Sequence, residues 1–379
     1  MGIRSASSTF TRFYVPEPST EDFWGFVDER IRAGAFKECE EGQELSTGFS
    51  SWDDLFDSGF SGASYHKGSY VAFQFRMDQR RVPAILVKQH LRREVEKYKA
   101  DHEGHLPPRS EKQQIKENVQ AWLASRTLPL PSACEVVWNS DENWLLFGST
   151  SNKAMESFLE LFEKSFHVSP QPLYHVHWAL HTIPLEGRHK DHLVSLVNPQ
   201  SIHALDEGRF LGYEFLTWLW YLVEASGGGF GLDENRSVEI DLGERLTLTR
   251  PDDGKERVIC KTQAQSLHEA RTALKQGKLV EDLQFFFKWG EEEYSFNLDT
   301  SLWPLKGLKT PKQARKEADE EDEDGLFLEK MYFLEKVFEC LNALYGRFLT
   351  HRLSPRWDSD VLPAMKEWMG GEVTANAPF

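Results

Sequence analysis

The sequence is short of the features that announce most enzymes and secreted proteins. Its four cysteines, Cys39, Cys134, Cys260 and Cys340, stand far apart, so there is no CxxC metal knuckle or redox motif and a reducing cytosol is the predicted setting. The opening residues lack the roughly 7–15-residue apolar core of a secretory signal, which predicts no export. The most apolar stretch, residues 210–223, contains Glu214 and falls short of the roughly 18 apolar residues that cross a bilayer, so it reads as a buried helix with no membrane role. There is no HExxH and no internal repeat of fixed period. Positive charge is also in deficit. Against 60 Asp and Glu there are 44 Lys and Arg, for a net charge of −16. A uniformly basic nucleic-acid coat is thereby excluded, while a local basic surface is not.

What is present fits a folded protein: 40% hydrophobic, 13% aromatic and 27% charged residues over a length of 379, enough for two or three units of about 100–200 residues each. Phe23, Val27 and Ile31 mark an amphipathic helix after a first strand, and the alternation from Tyr70 to Phe75 marks another strand. Pro83 opens a long helix with Val87, Leu91, Val95 and Tyr98 on one face. After Gly104, Pro107 and Pro108, a capping box of Ser110 and Gln113 is expected to start a second helix. That helix runs to about Leu123, with Ile115, Val119 and Trp122 as its matching face. Two apolar tetrads, Glu135-Val136-Val137-Trp138 and Trp144-Leu145-Leu146-Phe147, read as a β-hairpin followed by a helix near residues 153–166. In the second half, residues 238–241, 246–249 and 258–261 read as a three-strand meander, and residues 283–289 and 294–298 as a strand pair about Gly290. Seven acids in residues 317–324 read as a solvated linker ahead of an amphipathic helix from Leu328 to Phe348.

The predicted fold class is therefore α+β, with mainly antiparallel sheets, packed helices and a projecting helical hairpin. The predicted units are an N-terminal domain over residues 1–168 with the hairpin at 83–124, a second domain over 169–310, and a linker and helix over 311–379.

Several constellations carry chemistry at first sight. Between residues 88 and 116 stand eight basic residues, Lys88, Arg92, Arg93, Lys97, Lys99, Arg109, Lys112 and Lys116, against five acids. On a helical projection Lys88, Arg92 and Lys99 share an arc of about 40°. Such a stripe could follow a phosphate backbone; charge alone fits an ordinary mixed surface helix with pairs such as Arg92 to Glu96 better. Seven histidines fall in residues 167–203. His175 and His177 would share one face if that segment were a strand, with His181 nearby, but without a metal motif they read as scattered structural residues. Gly227-Gly228-Gly229-Phe230-Gly231 lacks the Lys-Ser/Thr of a P-loop and reads as a helix stop. Asp252, Asp253 and Lys255 would suit a metal-dependent nuclease centre, yet they sit in a predicted turn with no further carboxylate to complete it. Phe215, Trp218, Trp220 and Tyr221 could stack on bases, but their apolar helix says core first. The helix from Leu328 to Phe348 could close the monomer or meet a second chain.

The succession of segments resembles the RdgC family of recombination-associated bacterial DNA-binding proteins. The resemblance rests on Val82-Pro83-Ala84-Ile85-Leu86-Val87-Lys88-Gln89-His90-Leu91, similar to a proline-led helix start, and on Glu135 to Trp138 with Trp144 to Ala154, similar to the family's hairpin and Ala/Lys helix. Gly277-Lys278-Leu279-Val280-Glu281-Asp282-Leu283 is a third match, and Gly48-Phe49 with Asp54 and Leu55 a weaker one. This chain departs from the pattern by the aromatic segment 210–223, the acidic tract 317–324 and its tail.

The resemblance implies a ring-shaped homodimer whose basic hole encloses duplex DNA without sequence preference and limits RecA filament action, with ring closure in projecting parts. The expectation is a non-enzymatic protein of the cytoplasm and nucleoid that binds duplex DNA, with single-stranded DNA a further candidate, through the eight basic residues. It needs no cofactor and no metal. The competing expectations are a metal-dependent nuclease or nucleic-acid processing enzyme, and a phage- or defence-related interaction module using the acidic tract and the aromatic helix.

Overall fold

A computed structural model describes residues 2–40, 43–250, 256–261, 264–312 and 323–369. In chain order the first half runs β1 (Ser8–Tyr14), α1 (Phe23–Ala33), β2 (Leu45–Ser51), β3 (His66–Lys67), β4 (Tyr70–Gln79), α2 (Ala84–Asp101), α3 (Arg109–Arg126), β5 (Leu130–Asn139), β6 (Trp144–Phe147) and α4 (Asn152–Phe166). The second half runs β7 (Gln171–Pro172), α5 (His175–Thr182), α6 (Gly187–Leu196), α7 (Ala204–Glu207), α8 (Arg209–Ser226), β8 (Gly229–Gly231), β9 (Ser237–Thr249), β10 (Arg257–Lys261), α9 (Ala264–Lys275), β11 (Leu279–Trp289), β12 (Glu292–Asp299), β13 (Pro304–Lys309), α10 (Glu323–Arg352) and α11 (Leu362–Met369). No helix of the described residues is long and apolar enough to cross a membrane.

The strands form one antiparallel sheet in the order β10-β9-β11-β12-β13-β1-β6-β5-β4-β2, with β3, β7 and β8 attached to β4, β1 and β9. The fold is thus α+β, as the sequence predicts. Strand alternation puts Val71, Phe73, Val136, Trp138, Leu145 and Phe147 on one face, where α1 and α4 cover them with Val27, Ile31, Phe158 and Phe162. The intervening Tyr70, Ala72, Val137, Trp144 and Leu146 point to the other face and pack in a second cluster with residues of α5, α8 and α10. The stripe of the last long helix closes the monomer: Met331, Leu334, Leu341, Leu344 and Phe348 are buried, and Leu328 is left 44% exposed.

β1 joins the two halves through β13 on one side and β6 on the other. At that joint Arg12 is fully buried, donating to the carbonyls of Leu302 at 2.6 Å and Trp303 at 3.5 Å, with its guanidinium 4.5 Å from the Trp178 ring centroid. The Trp303 indole returns a bond to the Arg12 carbonyl at 2.7 Å. Desolvation pulls Arg12 down to about 9.

Four local expectations need correction. The predicted meander is different, because residues 238–249 are one strand, β9. Leu283 pairs with Leu246 and Phe285 with Leu242, so a bulge at Gly243 takes up the extra residues. A Cβ at Gly243 would lie 2.5 Å from the Gln284 and Phe286 side chains, which is why glycine stands where a turn was expected. The capping box is not formed. Pro108 is the N-cap of α3 and no side chain caps it, because Ser110 falls at the second helical position, past the place from which its hydroxyl could cap. His175 and His177 lie on helix α5 and not on a strand, so their side chains project about 200° apart. Glu96 pairs with Lys99 at 2.7 Å in place of Arg92. The helix stop is as expected: Gly227 caps α8 in the left-handed region at φ 65°.

The aromatic segment lies in α8, with Phe215, Trp218 and Trp220 buried. There Glu214, 8% exposed, accepts from Arg352 Nε at 2.5 Å and Nη2 at 3.2 Å. Burial pushes the carboxyl up while the guanidinium opposes the shift. Replacing Arg352 by Met strands a buried charge and lowers unfolding free energy by about 3 kcal/mol in urea titration, and the double replacement Glu214→Leu/Arg352→Met recovers most of it. A loss below about 1 kcal/mol in the single variant would show a pair screened by solvent.

Candidate nucleic-acid interface

α2 and α3 interrupt a strand pair. β4 and β5 run in register to Gln79 opposite Leu130, and the chain between them leaves the sheet as these two helices. The base is fixed by Arg80, which donates to Thr127 O at 2.7 Å and Gln43 O at 3.1 Å. α2 buries no residue completely, and α3 buries Val119 and Leu123. Val87, Leu91, Val95 and Tyr98 are half-buried, as is Ile115. The helices run antiparallel: His90 stands 5.1 Å from Trp122, and the Tyr98 hydroxyl bonds to Glu111, which raises its pKa.

This arrangement decides where the candidate cations fall. At 100° per residue, Lys88, Arg92 and Lys99 lie about 65–105° round α2 from the centre of its apolar face, and Arg109, Lys112 and Lys116 lie about 35–95° round α3, in the same rotational sense. Two antiparallel helices packed face to face bring equal rotations to the same side. Six cations therefore share one broad face, about 16 Å long on α2 and 10 Å on α3 at 1.5 Å per residue. Arg93 falls on the outer edge of α2 and Lys97 on the opposite side, so these two do not join the group.

The opposite side is independently located by a groove of about 460 Å³ lined by His90, Glu94, Ile115, Asn118, Val119 and Trp122. Those polar residues project in the reverse rotational sense, as the geometry requires. Trp122, 44% exposed, is thus held away from the basic face. All eight basic residues are exposed except Lys99, which is half-buried. Among the described residues Lys99 alone of the eight is in an ion pair, with Glu96. The others keep their donors turned to solvent, where phosphate oxygens can replace water at little desolvation cost.

Other candidates are dispersed. His175 is buried with one ring nitrogen on Thr300 O. His177 bonds Pro199 O at 2.7 Å and His181 meets Gln171 Oε1 at 3.1 Å. Among the described residues no three His, Cys, Asp or Glu side chains are grouped to hold a metal ion. Gly229 to Gly231 form β8, and Asp252, Asp253 and Lys255 lie outside the described residues, as does 317–322 of the acidic tract. The four cysteines are free thiols. Sequence reading did not find the separation of the hairpin into a basic and a groove-bearing side. The signal was present in the helical angles, but it needed the antiparallel packing to become a surface.

Residues 19–182 match the family model described as "RdgC: Putative exonuclease, RdgC". No curated protein matches the chain. The matched stretch contains α1 to α5 and strands β2 to β7, and so the whole of the two-helix element with its basic face. That match supports the resemblance to the RdgC family read from Val82 to Leu91 and from Glu135 to Ala154.

Proposed function

We propose that this chain binds duplex DNA through its phosphate backbone, without sequence preference and without hydrolysing it, as a recombination-associated protein. The observation that supports the reading best is the convergence of Lys88, Arg92, Lys99, Arg109, Lys112 and Lys116 on one exposed face in a chain of net charge −16. Backbone contacts release counterions whatever the sequence. A hydrolytic site would need carboxylates converging with the phosphate contacts; Glu96, the acid adjoining this face, is already paired with Lys99. The family description names an exonuclease, so the test carries both arms. Binding to unrelated duplexes is expected to weaken with a log–log salt slope of about −5, from six contacts at about 0.9 each, and the DNA is expected to remain intact with magnesium or manganese. A flat salt response would remove the binding reading, and metal-dependent cleavage that travels with the protein would put the nuclease first.

The acidic remainder of the chain favours assembly about a two-fold axis, which doubles the basic arc facing DNA and keeps the acidic exteriors apart. We propose a homodimer closing a ring around the duplex, with the projecting two-helix element at the closure and with limitation of RecA filaments as its consequence in the nucleoid. Light scattering at micromolar concentration should give twice the chain mass. A monomer mass both with and without DNA would leave an open, groove-type binder.

A further inference from the structure

A cavity of about 200 Å³ lies at the start of α10, where Ile3, Trp52, Phe327 and Met331 supply an apolar lining and Arg4 and Glu323 its charged parts. Lys330 also lines it. Its side chain is 7% exposed, and its amine donates to Thr310 Oγ1 at 3.2 Å. Nearby lysines are neutralised: Lys67 sits between Asp53 and Asp324 at 2.9 and 2.5 Å, and Lys336 is 2.6 Å from Glu292. Among the described residues no carboxylate comes within ion-pair distance of Lys330. The charges that face it are Arg4, which is 3.8 Å from Glu135 and stacked 4.2 Å over Trp52, together with Glu135 and Glu323.

Burial strips an ammonium of hydration that one hydroxyl acceptor such as Thr310 replaces only in part, so the neutral amine gains. Desolvation draws Lys330 down to about 8, with Glu135 opposing. At neutral pH about a tenth of the molecules then carry a free amine, against about one in three thousand for an ordinary lysine. A desolvated lysine that lines a cavity is in this way activated as a nucleophile.

We propose that Lys330 is a site of covalent modification by small carbonyl electrophiles admitted to this cavity. The amine lone pair forms a bond to the carbonyl carbon as the C=O π pair moves to oxygen, and a proton passes from the nitrogen to that oxygen. The carbinolamine then loses water to leave an imine. No oxidant or reductant enters the step.

The test is limited reductive methylation of the folded protein with formaldehyde and cyanoborohydride, mapped by peptide mass spectrometry. The Lys330 peptide is expected to be labelled at least tenfold faster at pH 7 than the peptides of the exposed Lys88 and Lys116. Its rate should level off above pH 8, while theirs keep rising. Urea unfolding should abolish the difference, and Lys330→Arg should remove the fast-labelled peptide. Labelling of Lys330 in the folded protein at or below the rate of the exposed lysines, or with their pH profile, would overturn the proposal. Because the decisive comparison is made within the wild-type chain, it does not depend on a variant that folds.

Discussion

Replacing Lys88, Arg92 and Lys99 together by Glu is expected to weaken duplex binding by about two to three orders of magnitude at 0.1 M salt. Three contacts at about 0.9 each in the log–log slope are worth nearly a factor of ten apiece at that concentration, and three new carboxylates add repulsion. The salt slope should fall from about −5 to about −3. The fold should be unaffected, since Lys88 and Arg92 are exposed, Lys99 is half-buried, and Lys99 alone is in an ion pair among the described residues. The telling control is Lys97→Glu. It changes the same net charge per residue on the same helix, but on the side that carries the groove of His90 and Trp122, and it should cost less than about threefold. Equal losses from Lys97→Glu and from Lys88→Glu alone would mean that affinity follows overall charge, and the face would lose its meaning.

The second large effect is on stability against pH, and it comes from His175. This imidazole is fully buried, with Nε2 at 2.5 Å from Thr300 O, which can only accept. Nε2 therefore carries the proton, and Nδ1 is buried without a partner. Protonating Nδ1 would place a charge and an unpaired donor in the core, and desolvation accordingly lowers His175 to about 4. A base whose folded pKa lies below its unfolded value binds its proton preferentially in the unfolded chain. Stability is then fully present above about pH 6.5 and is lost as pH falls from 6.5 towards 4. At 1.36 kcal/mol per unit, the loss reaches about 3 kcal/mol at the bottom of that window. His351 is also lowered, chiefly by burial, and adds to the same trend. Urea titrations at pH 7.5 and 4.5 measure the loss. In His175→Asn, which can still donate to Thr300 O, the pH dependence should shrink by more than half; an unchanged slope would assign it to other groups.

Much of the fold was legible because burial imposes a period. Val71, Phe73, Val136 and Trp138 alternate with Tyr70, Ala72 and Val137 since both faces of the central strands are covered, and the spacings in α2, α3 and α10 follow from helices with one apolar side. Between residues 241 and 246 the expected break between two strands is a bulge within one, because sequence cannot show that the Gln284 and Phe286 side chains lie against Gly243. The bulge that answers the crowding exists only once β11 is in place.

The sequence by itself determined which cations the hairpin carries and which of them share an arc of α2, because helical angle is a property of one segment. It could not determine that Arg109, Lys112 and Lys116 join them while Lys97 faces away. That depends on the direction in which α3 returns along α2, fixed by Leu130 pairing opposite Gln79 and by His90 meeting Trp122. The desolvation of Arg12, Lys330 and His175 could not be read from the sequence for a related reason. Their chemistry comes from the water they have lost, and desolvation is decided by what distant segments bring over a side chain: residues 302–303 over Arg12, Trp52 and Ile3 about Lys330, and Thr300 beside His175.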